Sequence, residues 1–256
     1  MRPLPNIFDM RLLAALIFFT RLPLWRWAEV PAGYYKRVVE CWPFIGWLTG
    51  GVMALVLYSA SYIFPAYVAV LLAILARILL TGALHEDGFA DFCDGFGGGT
   101  SREKILAIMK DSHIGTYGVL GLVLYFLLLS QVLAAFTPAV AACLVWTGDV
   151  WSKCCSAQLI NFLPYARKEE EAKAKVVYER MPMPAIAGVA LNGLVALALL
   201  YGLTGNFLAA AFAPLVVTGL MIRYLREKIQ GYTGDCCGAL FLLSEFSFYL
   251  TALCMQ

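Results

Sequence analysis

Long apolar stretches separated by short polar segments dominate the pattern of this chain. A helix needs about 20 mainly apolar residues to cross the hydrocarbon core of a bilayer, and seven stretches reach or approach that length. These stretches are Trp42 to Phe64, Ala66 to Leu84, Ile114 to Phe136, Pro138 to Phe162, Met183 to Leu203, Phe207 to Ile222 and Cys237 to Gln256. The pattern predicts an all-α fold, a polytopic integral membrane helical bundle of about seven transmembrane helices.

A shorter apolar segment, Met10 to Thr20, precedes the first of these stretches. It is too short to span a bilayer, so we predict an interfacial or re-entrant helix at the amino terminus. The composition agrees with a membrane protein, since 61% of the 256 residues are hydrophobic, 14% are charged and the mean hydropathy is +0.76. These values exclude an ordinary soluble domain, and we expect one integral membrane domain over residues 1–256.

Lysine and arginine residues are distributed unevenly between the loops. The amino-terminal segment and the loops after the second, fourth and sixth stretches carry them, whereas Tyr62–Pro65, Thr137 and Thr204–Asn206 carry none. By the positive-inside rule, the amino terminus and the long loops face the cytoplasm, and the carboxyl terminus lies outside the cytoplasmic (inner) membrane. Topology and anionic headgroups account for these cations, so we expect the lipid bilayer as a partner and no nucleic acid.

An acidic cluster follows the second apolar stretch, between His85 and Gly95. Its four carboxylates lie within nine residues and are Glu86, Asp87, Asp91 and Asp94. In a helix, Asp87, Asp91 and Asp94 would share one face, where like charges repel and are partly desolvated near the membrane. A divalent cation would compensate them, and oxygen ligands without paired cysteines or several histidines favour Mg²⁺. The sequence therefore predicts a magnesium site on the cytoplasmic side.

Two glycine-containing turns and a polar helix entry fall on the same membrane edge. The glycine run that follows the cluster includes Gly97 and Gly98, whose backbone amides can approach a phosphate closely. Asp111 or Ser112 would cap the third stretch, and the free amides of a helix start favour anions. Asp235 introduces the seventh stretch among glycines in the same way. These turns are candidate phosphate contacts.

Several charged groups also have a purely structural interpretation. Helix capping alone would explain Asp111. Asp149 and Lys153 would form an i, i+4 ion pair that neutralises itself within the fourth stretch. Arg77 and Glu245 also lie within apolar stretches, where ionisable groups are functional candidates or pair with other groups. The sequence leaves these alternatives open.

Six short motifs occur in order along the chain. They are Phe18–Pro23, Pro43–Gly46, Thr81–Gly95, Met109–Gly118, Tyr165–Arg167 and Thr233–Asp235. In sequence and order they resemble the cobalamin synthase family, also called adenosylcobinamide-GDP ribazoletransferase. The resemblance implies an enzyme that joins adenosylcobinamide-GDP to α-ribazole or its 5′-phosphate, releases GMP and uses Mg²⁺ as its cofactor.

The resemblance also implies roles for individual residues. His85, Asp111 and Asp235 would be catalytic, with His85 or Asp111 as the base for the attacking ribazole hydroxyl. The metal ligands would be Glu86, Asp87, Asp91 and Asp94. The substrate and phosphate contacts would be Arg21, Gly97, Gly98, Lys110, Ser112, Lys153, Arg167 and Gly234. Two departures from the family concern these contacts, because His113 stands where arginine is usual and Lys168 to Glu171 replace a glycine-rich turn.

Two other functions are weighed against this transferase. A CDP-alcohol phosphotransferase would use similar physics, but its Asp-Gly-x-x-Ala-Arg signature fails because Asp91 replaces the arginine. A secondary transporter is the non-enzymatic alternative, although transporters place charged groups near the bilayer midplane and these acids crowd one edge. The sequence leaves the oligomeric state open, with a homo-oligomer among the alternatives.

Overall fold

The computed structural model describes residues 7–167 and 176–256, so the departure at Lys168 to Glu171 lies outside the described residues. The described part of the chain folds into α-helices joined by short connections. They are α1 (Ile7–Phe19), α2 (Ala32–Tyr35), α3 (Trp42–Ala60), α4 (Ala66–Thr81), α5 (Leu84–Gly98), α6 (Arg102–Lys110), α7 (Thr116–Ala134), α8 (Pro138–Ala157), α9 (Leu159–Phe162), α10 (Met183–Thr204), α11 (Phe212–Lys228) and α12 (Gly234–Leu253).

Five helical segments of the described residues are long and apolar enough to cross a membrane. They are Val38–Ala60, Thr116–Ala134, Met183–Thr204, Leu208–Lys228 and Gly234–Leu253. Each overlaps one of the stretches that the hydropathy pattern predicted. The prediction of a polytopic helical membrane bundle is confirmed, because five long apolar helices need a hydrocarbon environment.

The stretch predicted from Ala66 to Leu84 is not one straight span. Helix α4 ends at Thr81, and α5 leaves it at an angle of 93°. Gly82 and Ala83 both adopt left-handed backbone conformations, with φ of 66° and 58°, which interrupt the helical path. Together α4 and α5 count as a broken span or a re-entrant pair, which raises the number of spans to six at most within the described residues.

The stretch predicted from Pro138 to Phe162 also differs from its prediction. Helix α8 ends at Ala157, a turn leads into α9, and by composition α8 is not among the helices apolar enough to span. Thirteen of its 20 residues are buried, and it packs against α3, α10 and α12. A helix enclosed by other helices does not need lipid-compatible side chains on every face. By length and composition alone, the described residues contain five spans, or six if α4 and α5 form one, compared with the about seven that the sequence predicts.

The short amino-terminal helix is present as the sequence predicted. Its apolar part runs from Met10 to Phe19 and packs on the 3-10 turn that precedes α3. Arg11 donates a hydrogen bond to Glu40 at 2.9 Å across this contact. The helix therefore lies against the entrance to α3, where it contributes aromatic side chains to the site described below.

Helices α8 and α12 form the centre of the bundle, and α10 lies at its edge. Thirteen of the 20 residues of α12 are buried, as in α8, whereas only four of the 22 residues of α10 are. The exposed leucines and valines of α7 and α10 provide an apolar surface suited to lipid. Of the charged groups buried within the bundle, Asp149, Lys153 and Glu245 lie on the two central helices, and Arg77 lies on α4.

A short backbone pairing joins two distant connections at one end of the bundle. Tyr165 and Tyr232 form an isolated parallel bridge. The Ala166 amide donates to the Tyr232 carbonyl at 2.8 Å, and the Tyr232 amide donates to the Pro164 carbonyl at 2.9 Å. This pairing places the Tyr165–Arg167 motif beside the start of α12.

Candidate active site

A cavity of about 290 Å³ lies where α5 and α12 begin. It is lined by Phe18, Phe19, Val39, Trp42, Leu84, His85, Asp87, Gly88, Tyr165, Arg167, Val176, Tyr178, Gly234, Asp235, Cys237 and Gly238. Five residues of the predicted site line this cavity, namely His85, Asp87, Arg167, Gly234 and Asp235. They come from three motifs that are far apart in the sequence.

Two glycines allow the beginnings of α5 and α12 to pack this closely. A Cβ atom on Gly88 would contact the backbone of Asp235, and a Cβ atom on Gly238 would contact the backbone of His85. Only a hydrogen in place of a side chain leaves room for this approach. The close packing brings both helix starts, with their free amide groups, to the same cavity.

His85 is held in the wall of the cavity by aromatic rings. Its imidazole stacks on Phe19 and Trp42 at centroid distances of 6.2 and 5.7 Å, and it contacts Phe241 at 4.8 Å. The residue is 4% exposed, and its Nε2 atom has no hydrogen-bond partner among the described residues. A buried polar atom without a partner is costly, so a bound molecule that pairs with Nε2 would be stabilised.

The polar side chains of the cavity differ in exposure. Asp87 is exposed, whereas Asp235 is 9% exposed and accepts a hydrogen bond from the Thr233 hydroxyl at 3.3 Å. Arg167 donates to the Leu106 carbonyl at 3.1 Å, and its buried Nε has no partner among the described residues. The lining therefore combines two carboxylates with one guanidinium.

The Tyr165 phenol stays protonated at neutral pH. Burial raises its pKa, and this effect exceeds the opposing influence of the Arg167 charge. A neutral hydroxyl next to a guanidinium offers a hydrogen bond without adding negative charge. The Tyr165 hydroxyl would therefore not repel an anion beside Arg167.

A second, more open cleft of about 580 Å³ adjoins the cavity on the other side of Arg167. It is lined by Arg102, Glu103, Leu106, Ala107, Lys110, Tyr165, Ala166 and Arg167. The Arg102 guanidinium is fixed by the Ile229 carbonyl at 2.9 Å and the Ala166 carbonyl at 2.7 Å. Arg167 and Tyr165 line both spaces, so an anion between them would touch cavity and cleft together. Lys110, a predicted phosphate contact, lies in this cleft.

The four predicted metal carboxylates do not come together as one centre. Glu86 turns into the bundle, where its carboxylate is 3.9 Å from Arg77. Asp94 is buried, and its two oxygens accept hydrogen bonds from the Gly115 and Gly118 amides at 2.7 and 2.8 Å. Asp94 therefore caps the start of α7. In residues 7–167 and 176–256, no group of three or more histidine, cysteine or acidic side chains is arranged to hold a metal ion.

The remaining acids of the prediction lie outside the cavity lining. Asp91 is half-buried, one turn after Asp87 on the same face of α5. Asp111 ends α6, and the cap of α7 is Gly115, so the prediction that Asp111 or Ser112 caps the third stretch is wrong. Both residues are exposed.

The exposed Asp111 carboxylate is engaged by its neighbour. It accepts hydrogen bonds from the His113 ring at 2.7 Å and from the His113 amide at 3.0 Å. The ring contact is the larger of these effects, and together they lower the pKa of Asp111. Asp111 is also absent from the cavity lining, whereas His85 belongs to it, so position favours His85 of the two predicted bases.

The glycine run does not form a phosphate-binding loop. Gly97 and Gly98 are the last residues of α5, so their amides belong to the helix. A Cβ atom on Gly97 would collide with the Tyr117 ring. The structure therefore gives Gly97 a packing role against Tyr117, because small residues serve close packing as well as phosphate binding.

Arg21 and Lys153 are also placed elsewhere. The side chain of Arg21 packs against Gly82 at the bend between α4 and α5. Lys153 is fully buried and forms an ion pair with Asp149, and both groups bond to the Thr49 hydroxyl at 3.0–3.1 Å. The predicted ion pair of Asp149 and Lys153 is therefore confirmed, and Lys153 is not among the residues that line the cavity.

The sequence analysis missed the aromatic wall of the cavity. Phe19, Trp42 and Tyr178 line it, yet aromatic side chains at the ends of apolar helices are ordinary in membrane proteins. Tyr178 lies in a connection that joins the site through a tertiary contact. In this contact the Tyr232 hydroxyl donates a hydrogen bond to the Tyr178 carbonyl at 3.3 Å. No one-dimensional signal distinguishes these aromatics from membrane anchors.

Comparison with known proteins gives one consistent result. The family model of cobalamin-5-phosphate synthase matches residues 11–253. An adenosylcobinamide-GDP ribazoletransferase of Leptothrix cholodnii is 39% identical over 243 residues, which cover 92% of each chain. The protein of the same name from Shewanella amazonensis is 39% identical over 245 residues and 94% of each chain. No solved structure matches this chain.

Proposed function

This chain belongs to the cobalamin-5-phosphate synthase family, and we infer that it is an adenosylcobinamide-GDP ribazoletransferase. It joins adenosylcobinamide-GDP to α-ribazole or its 5′-phosphate in cobalamin assembly and releases GMP. The family assignment favours this reaction over the CDP-alcohol phosphotransferase and the secondary transporter. The observation that supports the proposed site is the cavity itself, where three distant family motifs meet.

The reaction transfers a phosphoryl-linked group between two oxygens. A ribose hydroxyl of α-ribazole forms a bond to the phosphorus on the cobinamide side of the pyrophosphate. The bond from that phosphorus to the bridging oxygen breaks, and GMP leaves with the electron pair. The hydroxyl proton must pass to a base within hydrogen-bond reach.

We assign the role of base to His85. His85 lines the cavity, and its buried Nε2 atom has no partner among the described residues. The neighbouring Phe19, Trp42 and Phe241 rings would fix the orientation of the imidazole, which is what efficient proton transfer requires. Asp235, close by in the lining, would accept a second hydrogen bond from the ribose and orient it.

Arg167 is the proposed phosphate clamp. Its planar guanidinium suits two phosphate oxygens at once. Its position between the cavity and the cationic cleft matches the place where the pyrophosphate of one substrate must meet the hydroxyl of the other. Lys110 and Arg102 in the cleft would add positive charge for the nucleotide that leaves.

The residues present fit a magnesium ion that is held mainly by substrate. Mg²⁺ in phosphate sites commonly uses one or two protein carboxylates together with waters and phosphate oxygens. We propose that Asp87 and Asp91, one turn apart on α5, are these carboxylates. In that position Mg²⁺ would neutralise negative charge on the pyrophosphate. Glu86 and Asp94 have the structural contacts described above and are not part of this proposal.

The proposed membrane arrangement follows from the distribution of cations. The amino terminus and the site would face the cytoplasm, and the carboxyl terminus would lie outside the inner membrane. A cytoplasmic site gives a nucleotide-bearing substrate direct access. Labelling of a cysteine added after Gln256, with a membrane-impermeant thiol reagent on intact cells, tests this orientation.

One assay tests the activity. The full chain, purified in detergent, is mixed with adenosylcobinamide-GDP, α-ribazole and Mg²⁺, and GMP is quantified by chromatography. We expect GMP only when both substrates are present. GMP release without α-ribazole would indicate a hydrolase, and no GMP in the complete mixture would contradict the proposed function.

A spectroscopic experiment tests the metal proposal independently of turnover. Mn²⁺ replaces Mg²⁺, and its free fraction is followed by electron paramagnetic resonance. We expect weak binding to the protein alone and binding at least about tenfold tighter with adenosylcobinamide-GDP, because phosphates supply most ligands. Asp87→Asn should weaken the substrate-dependent binding. Tight binding without nucleotide would contradict a substrate-borne ion.

A further inference from the structure

We propose that the cavity at the start of α5 and α12 binds the benzimidazole nucleoside part of α-ribazole, and that the corrin and the guanine nucleotide lie outside it. This inference rests on the proposed function, which supplies the two substrates. The size of the cavity, the chemistry of its wall and the charge of its lining all favour this ligand.

The size of the cavity excludes the larger substrate. Its volume of about 290 Å³ is at the lower end of the roughly 300–1,000 Å³ of small-molecule sites. A nucleoside fits such a space. A corrin macrocycle with its side chains is several times larger than this cavity. It must therefore bind outside the cavity, on an open surface of the protein.

The wall of the cavity suits a flat apolar base. Phe19, Trp42 and Tyr178 line it, and the imidazole of His85 is stacked parallel to two of its rings. Flat aromatic groups gain from offset stacking on such surfaces. Dimethylbenzimidazole presents two methyl groups and few polar atoms. Guanine carries several donors and acceptors on its edge, and an apolar wall would leave many of them unpaired at a cost.

The charge of the lining also favours the nucleoside. Asp87 and Asp235 contribute two carboxylates, and Arg167 contributes one cation. The buried Asp235 carboxylate would repel a guanosine diphosphate from the interior, whereas the exposed Asp87 would hold the Mg²⁺ proposed for the pyrophosphate. The ribazole nucleoside is neutral, and a 5′-phosphate on it could reach Arg167 at the boundary with the cleft.

The buried imidazole provides a specific polar contact. His85 is 96% buried, and its Nε2 atom lacks a partner among the described residues. A ribose hydroxyl placed by a stacked base would pair with this atom. The same contact would orient that hydroxyl toward the phosphate held by Arg167. One bound orientation of the nucleoside would therefore set both its binding contacts and the geometry of the reaction.

A steric variant tests the assignment. A Cβ atom on Gly234 would meet no atom within 4 Å, although Gly234 lines the cavity, so Gly234→Leu places a side chain in this space without a backbone clash. We expect the KM for α-ribazole to rise about tenfold or more, while the KM for adenosylcobinamide-GDP stays within twofold. The matched control is Gly188→Leu, at an exposed position of α10 that is equally open. It should leave both values unchanged.

Direct binding to the wild-type chain provides a second readout that needs no turnover. Equilibrium dialysis with α-ribazole, GMP and GDP as separate probes measures which ligand the cavity holds. We expect dimethylbenzimidazole to displace α-ribazole from the protein. Guanosine should not displace α-ribazole. Loss of α-ribazole binding in Gly234→Leu, with GMP binding retained, would support the assignment.

The outcomes separate failure of the inference from failure of the function. If wild-type protein releases GMP but Gly234→Leu raises only the KM for adenosylcobinamide-GDP, or both KM values equally, the cavity does not belong to the nucleoside. The same conclusion follows if guanosine displaces α-ribazole. If wild-type protein binds α-ribazole but never releases GMP with both substrates, the proposed function fails while the assignment of the cavity stands.

Discussion

Two regions of this molecule concentrate charged side chains, and they differ in whether those charges are paired. We define the ionic core as Arg77, Asp149, Lys153 and Glu245, which lie inside the bundle on α4, α8 and α12. The cavity described above is the second region. The comparison separates buried charges that pair with one another from the candidate site, where two side chains have nitrogens without a partner among the described residues.

The ionic core satisfies its charges internally. Arg77 is 2.6 Å from Glu245 and 3.9 Å from Asp149, and Lys153 pairs with Asp149. The Tyr125 hydroxyl also donates to Glu245. Buried charges of this kind are tolerated in low-dielectric surroundings because partners replace the lost hydration. Arg77 thus joins three helices.

The cavity leaves polar atoms available to a ligand. His85 and Arg167 each have a ring or guanidinium nitrogen without a partner among the described residues. Asp87 is exposed. A bound molecule that paired with the two nitrogens would add hydrogen bonds that the described residues do not supply, so the free energy of that pairing would contribute to binding and not to folding.

The largest effect should come from opening the ionic core. Arg77→Met leaves Glu245 and Asp149 without their shared cation, and breaking a buried pair in this way costs about 3–5 kcal/mol. We expect a large drop in the unfolding temperature of the protein in detergent. A thermal shift assay measures this drop. The control is Arg223→Met, which breaks an exposed pair with Glu227 and should cost no more than about 0.5 kcal/mol. Equal effects of the two variants would contradict the comparison.

The next effect should separate turnover from folding in the cavity. His85→Phe keeps an aromatic ring in the stack but removes Nε2, so we expect turnover to fall by about 10²-fold or more while the unfolding temperature changes little. The chain offers a matched control in its second histidine, because His113 is exposed and outside the cavity. His113→Phe should retain most of the turnover. Full turnover of His85→Phe would show that the imidazole is not the base.

A smaller effect should identify the role of Asp94. In Asp94→Asn one oxygen that accepts a backbone amide becomes an amide donor, and the charge at the start of α7 is lost. We expect a loss of about 1–3 kcal/mol in the free energy of unfolding, measured by thermal or chemical denaturation. The affinity for Mn²⁺ with substrate should stay unchanged. A weakened affinity without a change in stability would instead place Asp94 at the metal.

The smallest effect distinguishes helix from phosphate loop at the end of α5. Gly98 lies in the helix and a Cβ there makes only an ordinary contact with Ile108. Gly98→Ala should therefore stabilise the protein by about 0.4–1 kcal/mol with turnover retained. Gly97→Ala is the matched control and should destabilise, because its Cβ would collide with Tyr117. A strong loss of turnover in Gly98→Ala would restore the phosphate-contact prediction.

The sequence by itself determined the class of the protein and much of its candidate site. Stretches such as α7 and α10 were predicted closely, because transfer from water to lipid depends on the sum of local side chains. The Thr233–Asp235 and Tyr165–Arg167 motifs also predicted Asp235 and Arg167 as site residues, and both line the cavity. These features are local, so a linear pattern contains them.

Only the tertiary structure decided which acids serve the site. Glu86 and Asp87 are adjacent in sequence, yet one meets Arg77 in the bundle and the other lines the cavity, because successive residues of a helix point about 100° apart. The 93° bend before α5 and the Tyr165–Tyr232 bridge depend on contacts between distant segments. Hydropathy determines which segments leave water, but helix rotation and packing determine which side chains meet.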